Sequence, residues 1–133
     1  MKVVLDTNVL LSAAFTAGRC EVLLDLCVAS GVDIILCDHI LDEFRRHAQD
    51  KFHAPRQRVD NYLQALMPRV VLVTPLAVSP DTVADVDDLP VLGTAAAARA
   101  DALITGDRQL LELGFYAGIP ILSPRAFYER LRS

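Results

Sequence analysis

Lys2-Val3-Val4-Leu5-Asp6-Thr7-Asn8-Val9-Leu10 opens the chain with a short apolar run that ends on a carboxylate and two small polar residues. A run of this length and β-branched content reads as a buried central strand. The polar residues after it suit a turn or a helix N-cap. In open α/β sheets, ligands bind beyond the carboxyl ends of the strands. Asp6 therefore stands where a site would lie, although the same residue in the same place also caps helices. Taken alone, the stretch leaves both readings open.

Outward from it, strand and helix patterns alternate. A helix is expected from Asn8 to about Phe15, broken at Gly18, with Val22, Leu23, Leu26 and Cys27 resuming the helical spacing until Gly31. Ile34-Ile35-Leu36-Cys37 reads as a second strand, and Asp38 as the cap of a helix reaching Lys51 with Ile40, Leu41, Phe44 and Ala48 on one face. Pro55 starts another helix carrying Val59, Tyr62, Leu63 and Leu66, and Pro68 ends it. Val70 to Val73 is a third strand, followed by a Pro-containing connection from Thr74 to Val86. Asp87 or Asp88 then caps an alanine-rich helix with Pro90 in its first turn. Ala102-Leu103-Ile104-Thr105 is a fourth strand turning at Gly106-Asp107, before a short helix begun by Leu110 and Leu111. Ile119 to Leu122 is a fifth strand, which Pro120 places at an edge, and Ser123-Pro124 opens a terminal helix. The alternation predicts one α/β domain over residues 1–133: three layers, with a mainly parallel sheet of about five strands between helices.

Composition narrows the function classes. The chain has 133 residues, 53% of them hydrophobic and 23% charged, enough for a core without disulfides or a structural metal. A net charge of −4 argues against a broadly basic nucleic-acid surface, though carboxylates gathered around a cation would account for much of it. Three cysteines with no CxxC pair (Cys20, Cys27 and Cys37) fit reduced core thiols in a cytoplasmic protein. No apolar run approaches the roughly 20 residues of a membrane span, so no membrane partner is expected. Asp6 interrupts any signal-peptide pattern at the start.

Four carboxylates fall at or near one rim in this layout. Asp6 and Asp107 each follow an apolar strand, Asp88 opens the helix leading to the Asp107 strand, and Glu43 lies about one and a half turns into the helix after the second strand. Like charges brought together resist ionisation unless a cation sits among them. Oxygen ligands without thiolate suit Mg²⁺ or Mn²⁺. Such an ion can activate water and stabilise a leaving oxygen in phosphodiester cleavage.

The order and spacing of these residues resemble the PIN domain ribonucleases, including the VapC-like toxins of toxin–antitoxin pairs. The resemblance is carried by Val3-Val4-Leu5-Asp6-Thr7-Asn8-Val9-Leu10, by Ile40-Leu41-Asp42-Glu43-Phe44 with Lys51-Phe52, by Asp85-Val86-Asp87-Asp88 before Val91-Leu92, and by Ala100-Asp101-Ala102-Leu103-Ile104-Thr105-Gly106-Asp107 before Leu110-Leu111. It implies that Asp6, Glu43, Asp88 and Asp107 are the catalytic, metal-binding acids, that Asn8 and Thr105 support them, and that the ion is Mg²⁺ or Mn²⁺. It implies a single-strand-preferring endoribonuclease with RNA as substrate and a cognate antitoxin as partner. Leu89-Pro90 stands where this branch of the family usually has a basic or aromatic residue.

Other residues carry competing readings. His39, Glu43 and His47 recur every fourth position, but HExxH is absent and no further soft ligand for zinc is evident, so surface histidines are the ordinary explanation. Asp85 and Asp87 cap or flank the helix, with direct metal contact as the alternative. Arg45, Arg46, Arg56, Arg58 and Arg69 read as scattered surface charge or as phosphate contacts, and Arg108, beside Asp107, is the best placed for substrate. The apolar face from Arg19 to Ala29 packs in the core or serves a homodimer. Two other function classes make different demands on the sequence. A catalytically silent PIN-like module binding RNA or a partner protein would be marked by a lost acid, and none of the four is missing. An aspartyl-phosphate protein needs a second Asp after Asp6 or a late Lys, and the chain has neither.

Overall fold

The computed structural model describes residues 1–133. The elements run β1 (Lys2–Leu5), α1 (Thr7–Phe15), α2 (Arg19–Ala29), β2 (Asp33–Leu36), α3 (Asp38–Phe52), α4 (Arg56–Leu66), β3 (Val70–Leu72), α5 (Leu89–Ala98), β4 (Ala102–Ile104), α6 (Arg108–Leu113), β5 (Phe115–Tyr116), β6 (Ile119–Leu122) and α7 (Pro124–Arg132). Single 3₁₀ turns at Met67–Arg69 and Val86–Asp88 precede β3 and α5. The strands form one sheet in the order β3-β2-β1-β4-β6-β5, parallel except for the β5–β6 pair.

β1 is central because its side chains are apolar toward both faces: Val3, Val4 and Leu5 are buried, matching the continuous apolar pattern of a strand covered on two sides. Val4 pairs with Ile35 on one neighbour and Leu103 on the other. The chain order reverses here, since β1 leads away to β2 on one side and meets β4 on the other. At such a switch point the loops leaving the two strands diverge and open a crevice. The ladder runs to the lip of that crevice: the Asp6 amide donates to the Ile104 carbonyl at 2.9 Å, and the Thr105 amide to Leu122 at 3.0 Å.

Two helices set the crevice walls. α5 is buried nearly all round through Val91, Leu92, Gly93, Thr94, Ala95 and Ala98. Gly93 faces the connection after β3 so closely that a Cβ there would run into the Leu76 carbonyl oxygen, and the Leu76 amide donates to the Gly93 carbonyl at 3.0 Å. α3 is held by Phe44, which stacks on Phe15 of α1 at 6.0 Å and on Tyr62 of α4 at 5.7 Å between ring centroids. Aromatic pairs of this geometry contribute about 1 kcal/mol each beyond their burial. They fix the rotation of α3 and with it the neighbouring Glu43.

Two expectations are corrected, the edge position of Ile119–Leu122 and Asp38 as a helix cap. The sheet has six strands, because Phe115–Tyr116 pairs antiparallel with β6. β6 is consequently not an edge: Pro120 sits opposite Phe115, and the ladder continues past it through the Ile121 amide, which donates to the Gly114 carbonyl at 2.8 Å. Asp38 is the first residue of α3 and Cys37 its N-cap, without a side-chain capping bond. The three cysteines are free, and burial pushes the Cys27 thiol up to about 11.

Candidate active site

At the crevice lies a polar pocket of about 310 Å³, lined by Asp6, Thr7, Asn8, Leu11, Glu43, His47, Lys51, Asp85, Asp87, Asp88 and Asp107. Asp6, Glu43, Asp88 and Asp107 thus meet on one cavity, although they come from β1, α3, the turn before α5 and the turn after β4. Asp6, Glu43 and Asp88 are buried, while Asp107 is half-buried and Asp87 exposed.

Asp6 serves two purposes with its two oxygens. Oδ1 accepts the Thr7 amide at 2.8 Å and caps α1. Oδ2 accepts the Thr105 hydroxyl at 2.7 Å and the Asn8 amide group at 3.4 Å. The Thr105 hydroxyl in turn accepts the Asp107 amide at 2.9 Å, so one hydroxyl ties the turn after β4 to the end of β1. Asn8 bridges the same gap, its Oδ1 accepting the Gly106 amide at 3.0 Å. Asp107 Oδ1 is engaged by the amides of Gln109 and Leu110 as the cap of α6. Glu43 Oε1 accepts the Thr7 hydroxyl at 3.1 Å, and Oε2 lies 3.8 Å from Arg46.

Asp88 has no such support. It occupies the N-cap position of α5 without a capping bond, and its Oδ2 is buried with no hydrogen-bond partner. Burial pushes its carboxyl up to about 7, with the charges of Asp107, Asp6, Asp85 and Glu43 adding in that order. Burial also raises the Asp6 carboxyl, against the lowering effect of the Thr105 and Thr7 hydrogen bonds. Two buried carboxyls that resist ionisation, one with an orphaned oxygen, suit a divalent cation as their partner. The donors are all oxygen, which fits a hard ion.

The carboxylates surround the pocket loosely. The one set of three metal-ligating side chains whose donor atoms lie within 4.8 Å of one another is His39, Glu43 and Asp87. Asp6, Glu43 and Asp88 line the same pocket but do not form a set that tight.

Arg108 does not line the pocket; its exposed side chain pairs with Glu112 at 3.3 Å. The sequence reading missed Thr7 as the hydroxyl that holds Glu43, and Lys51 as the pocket's cation. Lys51 continues the four-residue step of His39, Glu43 and His47 along α3, and that step is the sequence signal that places it on the pocket wall.

Fold and site together define the class: an α/β domain that gathers carboxylates at the switch point of a parallel sheet, ready for a cation. A PIN domain family model matches residues 2–109, and the chain belongs to that family. Solved structures of similar fold include a chain of VapBC2 from Rickettsia felis bound to a DNA fragment from their promoter, at TM-score 0.67 and 15% identity, covering 92% of this chain and 98% of that one. A chain of FitAcB from Neisseria gonorrhoeae gives TM-score 0.57 at 16% identity with the same coverage of both chains, 92% and 98%. A chain of FitAB bound to an IR36 DNA fragment gives 0.55 at 16% identity, covering 92% and 94%. No curated protein sequence matches the chain significantly. The layered, mainly parallel architecture is that of a PIN-like α/β fold.

Proposed function

We propose that the protein is a divalent-metal-dependent endoribonuclease and the toxin of a toxin–antitoxin pair. The observation that carries this reading is the convergence of Asp6, Glu43, Asp88 and Asp107 on one pocket, with the Asp88 oxygen buried and unpartnered. Asp6, Glu43 and Asp88 would hold Mg²⁺ or Mn²⁺, with Asp107 at the rim. When bound, the ion supplies Lewis-acid polarisation of the phosphate and a lowered pKa for the attacking water.

The chain's own residues do the rest. Thr105 and Asn8 fix the Asp6 carboxylate, and Thr7 fixes that of Glu43, so the acids are held in place before substrate arrives. Asp107 keeps Oδ1 on the α6 cap, leaving Oδ2 to orient water at the rim. Lys51, on the pocket wall, offers a positive charge to a phosphate. RNA as the substrate rests on the family resemblance. The likeness to chains from VapBC2 and FitAcB structures supports an antitoxin partner, and the half-buried apolar side chains of α2, with Val22 exposed, suit a homodimer. No helix is long and apolar enough to cross a membrane, in keeping with a cytoplasmic setting.

The test incubates wild type and Asp6→Asn with single-stranded RNA and Mn²⁺, with and without EDTA. Cleavage by wild type alone, abolished by the chelator, is expected. Equal cleavage by both proteins, or metal-independent RNA binding without hydrolysis, would leave a silent binding module as the better reading.

A further inference from the structure

We propose that His39, Glu43 and Asp87 form a nitrogen-containing site for a first-row transition-metal dication beside the acidic pocket, which Glu43 and Asp87 line and His39 adjoins from the neighbouring groove. His39 and Glu43 are one turn apart on α3, and the 3₁₀ turn before α5 brings Asp87 against them. Donor atoms of all three lie within 4.8 Å of one another. Ligands about 2.1 Å from a common ion sit roughly 3 to 4 Å apart, so little movement is needed to close the set.

The metal-free contacts point the same way. His39 Nε2 is 3.2 Å from Glu43 Oε1, within ion-pair reach, yet the nitrogen is buried and has no aligned hydrogen bond. An imidazole nitrogen and a carboxylate oxygen at this separation are spaced as two ligands of one ion would be. The neighbouring Asp88 side chain, only 7% exposed, lines the pocket with Glu43 and Asp87 and leaves Oδ2 unpartnered. Asp87 takes the third place in the set, and His47, which shares the four-residue step on α3, stays outside it.

Imidazole beside two carboxylates favours Mn²⁺ or Zn²⁺ over Mg²⁺, which prefers oxygen throughout. Glu43 belongs to both donor sets, so an ion held here neighbours one held by Asp6 and Asp88. That adjacency rests on the nuclease reading of the pocket, whereas ion binding by His39 does not.

The site is tested on the RNA-free full chain loaded with Mn²⁺, by pulsed EPR for directly coordinated ¹⁴N and by calorimetric titration. Coupling is expected in wild type, Asp6→Asn and His47→Gln, and not in His39→Gln. Mn²⁺ affinity should fall about tenfold or more in His39→Gln and in Asp87→Asn, an exposed position that leaves the core untouched, with Mg²⁺ affinity unchanged in His39→Gln. Absence of ¹⁴N coupling in wild type, its survival in His39→Gln, or its loss only in His47→Gln overturns the proposal. An RNA-inactive protein that retains the His39 coupling would remove the nuclease reading and keep this site.

Discussion

Replacing Asp88 by Asn should stabilise the metal-free protein at neutral and alkaline pH and, on the proposed function, abolish metal-dependent cleavage. Burial, with the four neighbouring acids, lifts the Asp88 carboxyl from 3.8 to about 7. A carboxyl that holds its proton more tightly in the fold than in the unfolded chain favours folding in full below the unfolded value, and that contribution is lost as pH rises through about 7. Roughly three decades of proton affinity, at ~1.4 kcal/mol each, put the complete effect at about 4 kcal/mol. Water and counter-ions in an open pocket reduce it, so about 2 kcal/mol is expected. Asn loses no capping bond, because the Asp88 side chain makes none to α5. Urea unfolding in EDTA at pH 5.5 and pH 8 measures the effect. Wild type should lose about 1 kcal/mol between the two, because about half of the window from 3.8 to 7 lies above pH 5.5, and Asp88→Asn less than half of that, the remainder coming from Asp6, whose carboxyl is raised in the same sense. Mn²⁺ should restore wild type at pH 8 and have little effect on the variant. A variant less stable than wild type at pH 8 in EDTA, or a wild type whose stability rises over this range, would refute the reasoning.

Thr105→Val removes the hydroxyl that donates to Asp6 and accepts from the Asp107 amide, and should cost about 1–3 kcal/mol in urea unfolding, with weaker Mn²⁺ binding by calorimetry. Asp107→Ala strips the two-amide cap from α6, so a loss of about 1 kcal/mol should accompany its drop in RNA cleavage; unchanged stability would contradict the capping geometry. Gly93→Ala drives a methyl into the Leu76 carbonyl oxygen where α5 meets the connection after β3, and a loss of about 3 kcal/mol in thermal unfolding is expected.

The order of strands and helices was legible in the chain because each element carries its own period. Val3-Val4-Leu5 announces a two-sided strand, and Ile40, Phe44 and Ala48 announce one helical face. Strand-end positions likewise pointed to Asp6 and Asp107, since a residue after an apolar strand must lie at a sheet rim. β5 has no sequence signal because two residues carry no period, and its pairing with Ile119–Pro120 is what removes β6 from the edge.

What only tertiary structure decided is which atoms face one another. Thr105 reaches Asp6 across 99 positions, Thr7 reaches Glu43 across 36, and Asp87 arrives beside His39 through a 3₁₀ turn. Local sequence encodes propensity and burial pattern over a few residues. Carboxylate partners, an orphaned oxygen and a proton held to about 7 arise from packing between elements, and no window along the chain contains them.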